Sequence, residues 1–526
     1  MASHLFRAFA LAVAIAAVLS VTALTRADVD LWGHLRFGLD ILDSGTLQST
    51  DTYSFTSDRS WINHEWLSEI AIAGAWLAGG ASGLILLKLV CILGALGFIG
   101  AALEEKGIRG RARIMLLGLT LVGLLMRVTH VRPQLFSVLL FAALIYIFVR
   151  SERGSNRTLL WTIPILVLWA NFHGGWLVGV GTVGLWCAGA TRQWARGNGQ
   201  WAMGNGQWLI PHRTVPLAPC LSPIAHRPLP IAHCPLLIAV AAAVATLINP
   251  YGVGLWAFLI ETVRFGREAI VEWGPAWNSW TTIGVWSCFA WLTFAALRRG
   301  TAQLTEHNPA ALAIPIFWGL AALRVNRLDT FFAMSVIGLM AVPLASIFTR
   351  RASSPPMPLA WKAGGLAVAV LLLASLPATR KTFTCIGIHA TWPEPDAVDF
   401  MRERQMSGRI VTYFDWGEYA IWNMPADLKV SMDGRRETVY SDRTIGGHLQ
   451  LYRGTERGLA YLDGLHADYA WLPRQLPVVK TLQQRGWRTI FDGHISVLLA
   501  ASNSVDSAAS VPVRAGAPAP RCFPGP

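Results

Sequence analysis

The stretch between residues 26 and 66 gathers the side chains best suited to chemistry. It reads Asp28-Val29-Asp30-Leu31-Trp32-Gly33-His34, then Ser49-Thr50-Asp51-Thr52-Tyr53-Ser54-Phe55, then Trp61-Ile62-Asn63-His64-Glu65-Trp66. Asp28 and Asp30 stand two positions apart, with His34 close behind. Carboxylates at that spacing can bind a divalent cation such as Mg or Mn, or a metal-bound phosphate. Either can instead serve as a general base that deprotonates a hydroxyl nucleophile. The plainer alternative is that they cap an interfacial helix and end the apolar run before them. Asn63-His64-Glu65 alone reads more readily as a hydrogen-bonded cluster than as a set of ligands.

Other polar clusters punctuate the apolar chain. His130, Arg132, Pro133 and Gln134 form one, and Asn171, His173, Gly174 and Gly175 another. Asn249-Pro250-Tyr251-Gly252, Glu272-Trp273 and the pair Arg324 and Arg327 follow. Each has a structural reading: Asn-Pro-Tyr-Gly is a turn signature, and Gly174-Gly175 permits close helix approach. An arginine near a membrane surface, by contrast, has the planar fork that clamps a phosphate. Taken together, these connections supply carboxylate, imidazole, amide and guanidinium to one shared cavity.

The elements that must position these groups are set by composition. The chain has 526 residues, 53% of them hydrophobic and only 14% charged. Soluble domains carry about 25% charged residues, so lipid must solvate much of this chain. Its 24 Trp suit the membrane–water interface. From residue 377 onward there are 17 Lys and Arg against 15 Asp and Glu, so almost all of the net +13 lies in the apolar part. That distribution excludes a nucleic-acid partner, which would want a concentrated basic face on a soluble domain.

Apolar runs occur at 6–24, 82–103, 114–128, 135–149, 158–170, 177–190, 236–257, 281–297, 309–323, 330–348 and 359–376. They predict an all-α polytopic membrane protein of about eleven spans. The first run could also be a signal peptide cleaved after Ala27, but it is long for one and Arg26 suits the site poorly. Leu67 to Gly79 is short and predicts an interfacial helix. Lys106, Arg109, Arg111 and Arg113, then Arg150, Arg153 and Arg157, then Arg192, Arg196, Arg213 and Arg227 all fall on one side. So do Arg298, Arg299, Arg350 and Arg351. The positive-inside rule then puts the N-terminus in the cytoplasm and everything after Pro377 outside.

The expected organisation is a membrane domain over residues 1–377, with outer loop 26–66 carrying the candidate site. Residues 191–235 repeat Gly-Asn-Gly-Gln-Trp and Pro-Ile-Ala-His and read as a low-complexity cytoplasmic insertion. Residues 378–500 have the texture of a small extracytoplasmic α/β domain. Arg409–Phe414, Leu428–Met432, Asp468–Leu472 and Ile495–Ala500 predict strands, and Val478–Arg485 a helix. Residues 501–526 predict a disordered tail. Of the seven Cys, Cys385 and Cys522 face an oxidising space in this topology, where a bridge is one option. Cys91, Cys187 and Cys288 fall in apolar runs, Cys220 and Cys234 in the inner loop, and no spacing suits zinc.

The motifs Asp-x-Asp-Leu-Trp-x-His-Leu, Asp-Thr-Tyr-Ser-Phe-Thr and Trp-Ile-Asn-His-Glu-Trp-Leu-Ser-Glu resemble the first outer loop of a bacterial membrane-protein family. Arg132-Pro133, Asn171-Phe172-His173-Gly174-Gly175, Asn249-Pro250-Tyr251-Gly252, Trp416-Gly417-Glu418-Tyr419 and Asp433-Gly434-Arg435 are similar to that family too, so the resemblance runs over roughly residues 25–500. The family is grouped with the GT-C glycosyltransferases of the mannosyltransferase and aminoarabinose-transferase type. The resemblance implies a polyprenyl-phosphate-linked sugar donor, a site facing outward from the bacterial inner membrane, and in some members a divalent metal. By that analogy Asp28 or Asp30 is the base or the metal-associated acid. Arg132, Arg324 or Arg327 holds the lipid phosphate, and His34, His64 and Glu65 line the acceptor site. His173 is a further substrate-binding candidate. The competing expectation is a non-catalytic transporter or assembly factor for envelope polysaccharide. A transporter should place its polar groups near the bilayer midplane, often in a duplicated architecture, whereas these gather at one face.

Overall fold

A computed structural model of the chain describes residues 23–124, 129–153, 156–201, 234–264, 273–300, 308–348, 380–389, 391–502 and 521–525. All but Ala23 and Leu24 of the first expected span, the eleventh at 359–376, most of the repeat insertion and Glu272 lie outside the described residues. The helices are α1 Leu31–Ser44, α2 Trp66–Glu105, α3 Gly110–Leu124, α4 Gln134–Arg153, α5 Thr162–Phe172, α6 Trp176–Trp201, α7 Pro235–Ala245 and α8 Val253–Arg264. They continue as α9 Trp280–Arg299, α10 Ala310–Arg324, α11 Asp329–Leu339, α12 Ala341–Phe348, α13 Pro395–Glu403, α14 Gly417–Asn423, α15 Asp442–Tyr452, α16 Glu456–Leu465 and α17 Pro477–Gln484. The strands are β1 Gly387–Ile388, β2 Gly408–Thr412, β3 Leu428–Val430, β4 Tyr469–Pro473, β5 Arg488–Asp492, β6 Ser496–Ala500 and β7 Arg521–Cys522.

The chain forms two compact units, one of Met1–Leu87, Thr129–Arg132 and Ala369–Pro526, the other of Lys88–Val128 and Pro133–Val368. The first unit holds a five-stranded mixed sheet in the order β3-β2-β4-β6-β5. β2 runs parallel to β3 and β4, while β6 is antiparallel to β4 and β5. Every residue of β4 and β6 is buried, which is why both read as unbroken apolar runs rather than alternating ones. Val411, Leu472, Val497 and Leu499 of the sheet pack with Leu451, Val478 and Leu482 from α15 and α17.

The loop after α1 is built into this α/β region. Phe55 N–H donates to Val430 C=O at 3.1 Å, and Val430 N–H donates to Tyr53 C=O at 3.2 Å. The loop thus extends the sheet beyond β3. Asp58 accepts from Ser441 N–H, Ser441 Oγ and Thr444 Oγ1 at the start of α15, where a carboxylate meets the unsatisfied N–H groups of a helix end.

The second unit is helical. Among the described residues, three helices are long and apolar enough to cross a membrane, α2, α4 and α9, or four if the bent pair α11–α12 is one span. The bend is 78°. Pro343, in the first turn of α12, has no N–H for the carbonyl of Leu339, and Lys106 Nζ takes that carbonyl at 3.1 Å instead. Val90, Ile114, Val240, Trp291, Phe294 and Leu320 lie exposed on this unit, an outer surface that suits lipid and not water.

Two sequence expectations change here. The run 236–257 is not one span: α7 ends at Ala245, and Asn249-Pro250-Tyr251-Gly252 turns the chain into α8. The tail is not wholly without structure, because Arg521 and Cys522 pair with β1 and Cys522 is bonded to Cys385. The expected helix Leu67–Gly79 forms the first part of α2, which breaks at Gly79 and Gly80, the latter at φ +56°.

Candidate functional site

Asp30 occupies the N-cap position of α1, yet its side chain makes no capping hydrogen bond. The cap comes from the α/β region, where Glu418 of α14 accepts from Gly33 N–H at 3.1 Å. Simple helix capping therefore does not account for Asp30. Gly33 and Gly434 make this insertion possible: a Cβ on Gly33 would collide with the Glu418 carboxyl, and one on Gly434 with Asp30 and Glu418 together. Burial pushes the Glu418 carboxyl well above the usual carboxylate range, and the nearby charges of Asp30 and Asp433 push it further.

Asp28 is buried and paired with Arg132, whose Nε and Nη2 face its two carboxylate oxygens. Val29 N–H also donates to Asp28 Oδ1 at 2.6 Å. The same guanidinium stands 3.8 Å from Asp30 Oδ2. Side-chain exposure separates the two acids: 4% for Asp28 against 30% for Asp30. Asp28 is thus the inner anchor of the arginine, and Asp30 is the more open of the two acids.

His34, one turn along α1, lies between acids. Its Nδ1 is 3.4 Å from Glu69 Oε1 and its Nε2 is 4.0 Å from Glu65 Oε2. His64 Nε2 lies 3.7 Å from Glu65 Oε1, and Asn63 donates to Glu69 Oε2 at 2.5 Å. Burial works against an imidazolium at His34, but the Glu69 hydrogen bond and the charges of Glu65, Glu69 and Asp30 outweigh it, raising its pKa to about 9. A raised histidine stabilises the fold fully below its unfolded value of 6.5 and ceases to do so as pH rises through about 9. The difference corresponds to on the order of 3 kcal/mol. Thermal unfolding of wild type is therefore expected to come earlier at pH 9 than at pH 6.5, and His34→Gln to remove most of that difference. An equal pH effect in the variant would show that His34 is not the charged group.

Arg435 ties the loop to the α/β region. Its guanidinium donates to both oxygens of Asp433 at 2.7–2.9 Å and both oxygens of Asp51 at 2.8–2.9 Å. It also lies 4.7 to 5.3 Å from the ring centres of Phe37, Tyr53 and Trp61. Arg435 holds the Asp433 carboxyl below the usual range despite full burial.

The remaining candidates belong to the second unit. His173 Nδ1 meets Ser137 Oγ at 2.7 Å and accepts from Gly175 N–H at 3.1 Å. Arg324 ends α10. Arg327 lies over the Trp273 ring at 5.3 Å, and the Gln134 amide faces it. Asp28, Asp30, His34, His64, Glu65 and Arg132 fall together in the first unit; His173, Arg324 and Arg327 fall in the second.

Reading the sequence for site residues missed Glu418, Glu69 and the Asp51–Arg435–Asp433 cluster as contributors. Glu418 and Arg435 lay within quoted motifs, and the adjoining Gly33 and Gly434 were the available sign of close approach. A metal at Asp28 and Asp30 fits this arrangement poorly. Among the described residues no three His, Cys, Asp or Glu stand together as a metal site, and the Asp28 carboxylate already faces a guanidinium.

No protein-family model matches the sequence, and no curated protein does. Among solved structures, the chain is similar to the apo oligosaccharyltransferase of Archaeoglobus fulgidus, with TM-score 0.56 and 12% identity over 88% of this chain and 69% of that one. The archaeal oligosaccharyltransferase of Archaeoglobus fulgidus in complex with an inhibitory peptide and a dolichol-phosphate matches at TM-score 0.55, with 12% identity over 88% and 69%. ArnT from Cupriavidus metallidurans bound to undecaprenyl phosphate aligns over 96% of this chain and 99% of that one, at TM-score 0.40 and 12% identity. The oligosaccharyltransferase likeness shows the fold alone, a many-helix fold with a small β-containing C-terminal region.

Proposed function

We propose that the chain is a membrane glycosyltransferase that moves a sugar from a polyprenyl-phosphate donor to an envelope glycan, lipid or protein acceptor. The observation that carries this reading is the trio of Asp28, Arg132 and Asp30: a cation anchored on one buried acid and adjoining a second, more open one. The fold shared with an oligosaccharyltransferase determined in complex with a dolichol-phosphate supports it. In this reaction Asp30 takes the proton of the acceptor hydroxyl as its oxygen attacks the anomeric carbon. The bond from that carbon to the phosphate oxygen breaks, and Arg132 balances the charge that develops on the departing lipid phosphate. A single displacement inverts the anomeric centre, and a phosphate leaves without a general acid.

His34, His64 and Glu65 are the acceptor-binding candidates in this reading, His173 a further substrate-binding candidate, and Arg324 and Arg327 further holders of lipid phosphate. About eleven spans, a cytoplasmic N-terminus and an outward α/β domain in the bacterial inner membrane complete it. The Cys385–Cys522 disulfide supports an oxidising location for that domain.

The test is a transfer assay in membrane vesicles with a panel of polyprenyl-phosphate sugars. Wild type is expected to transfer from at least one donor, and Asp30→Asn, inserted at the wild-type level, to be slower by about 10²–10⁴-fold. Transfer by Asp30→Asn at the wild-type rate would remove that carboxylate from the mechanism.

A further inference from the structure

The short segment that precedes Asp28 is hydrogen-bonded through its backbone on two sides. Arg26 N–H donates to Thr129 C=O at 2.9 Å, three residues before Arg132. On the other side, Gly387 N–H donates to Thr25 C=O at 3.0 Å, and Ala27 N–H donates to Gly387 C=O at 2.9 Å. Gly387 begins β1, which pairs antiparallel with β7 in the register Gly387 to Cys522 and Ile388 to Arg521. The residues leading to Asp28 and to Arg132 are therefore neighbours, and the next strand outward is backed by residues 521–523.

The same outer segment also reaches the start of α1. Phe523 is 3% exposed, and its ring lies 5.2 Å from that of Trp32 and 5.6 Å from that of Trp76. Trp32 Nε1 donates to Pro524 C=O at 3.1 Å. Arg521 donates to the carbonyls of Pro393 and Trp392, and the Trp392 ring lies 4.7 Å from that of Trp32. A strand pairing two residues long is too small to hold a chain segment against its conformational entropy. The Cys385–Cys522 bond supplies the missing constraint.

We propose that the disulfide-anchored segment Arg521–Gly525 is a positioning element of the Asp28–Asp30 site. It backs the strand before Asp28 through β1 and the first turn of α1 through Trp32, and so fixes both acids against Arg132. This rests on the reading of those acids as reactive, but its physical claim can be measured without a substrate.

The test is hydrogen exchange on the full chain in detergent: wild type, Cys522→Ser, Phe523→Ala (which keeps the disulfide), Phe523→Tyr, and wild type treated with dithiothreitol. The reagent delivers two electrons and two protons, splitting the S–S bond into two thiols as it closes into its own disulfide. In Cys522→Ser, Phe523→Ala and reduced wild type, amides of residues 25–32 are expected to exchange about tenfold faster or more, while β2 and β4 stay within about twofold of wild type. Phe523→Tyr is expected to behave as wild type. With a working donor, kcat falls in Phe523→Ala while the donor KM holds. Unchanged exchange at 25–32 overturns the proposal, and so does an equal rise through β2 and β4, which would make the disulfide a general stabiliser. Loosened exchange with an unchanged kcat overturns the positioning role. Loosening with no transfer from any donor by wild type leaves the positioning element standing and removes the transferase reading.

Discussion

Replacing Arg435 with Ala is expected to destabilise the first unit by about 3–5 kcal/mol, the range for stripping one partner from a buried ion network. The cause is the two acids left behind. Asp433 and Asp51 have side chains with no measurable exposure, and each accepts two guanidinium hydrogen bonds. Without Arg435, both must take up protons or remain charged and unpaired in a site walled by Phe37, Tyr53 and Trp61. Arg435→Lys is expected to recover little, because an ammonium cannot serve two carboxylates with a planar fork or stack between three rings. Asp51→Asn combined with Asp433→Asn and Arg435→Met should recover most of the loss, since a neutral replacement leaves no stranded charge. Thermal unfolding of the full chain in detergent, followed by circular dichroism, decides this. An Arg435→Ala protein melting with wild type would mean that the network contributes no net stability.

How much of this was legible in the sequence depended on distance along the chain. β4 and β6 were readable because burial on both faces leaves apolar runs bounded by polar turns, and β2 and β3 from their short β-branched and apolar stretches, although Arg409 is exposed and Lys429 half-buried. β5 was not, because Arg488-Thr489-Ile490-Phe491-Asp492 has charged ends and a short apolar centre. The turn Asn249-Pro250-Tyr251-Gly252 was visible as a turn, but the apolar residues on both sides hid that it splits a helix pair. Asp28, Asp30 and Arg132 could be named from residue type and placement. Their pairing could not, since Asp28 and Arg132 are 104 residues apart. Glu418 was harder still, because it reaches Gly33 across 385 residues and its neighbours Trp416, Gly417 and Tyr419 read as an ordinary helix start. Local propensity reports which residues prefer a helix or a strand; it does not report which distant carboxyl caps that helix. The disulfide was a weaker inference of the same kind, and its effect on the tail was not foreseen.

Arg132→Ala is expected to separate stability from chemistry. Asp28 is 5% exposed and sits against this guanidinium, so removing the arginine strands a buried acid and should cost about 3–5 kcal/mol of stability. The same change should slow sugar transfer by about 10²–10³-fold, the loss found when one preorganised donor to a developing anion is deleted. Asp28→Asn with Arg132→Met removes both charges from the buried contact. It should restore most of the stability and none of the transfer, because the lipid phosphate still lacks its cation. Asp30 remains in that double variant, so a general base alone would be seen to be insufficient. Measuring melting temperature and transfer rate on four proteins (wild type, Asp28→Asn, Arg132→Met and the double) gives the coupling of Asp28 to Arg132 on each scale. If the double variant recovers transfer along with stability, Arg132 is a structural partner of Asp28 only, and the phosphate must be held by another cation, with Arg324 and Arg327 the next to replace.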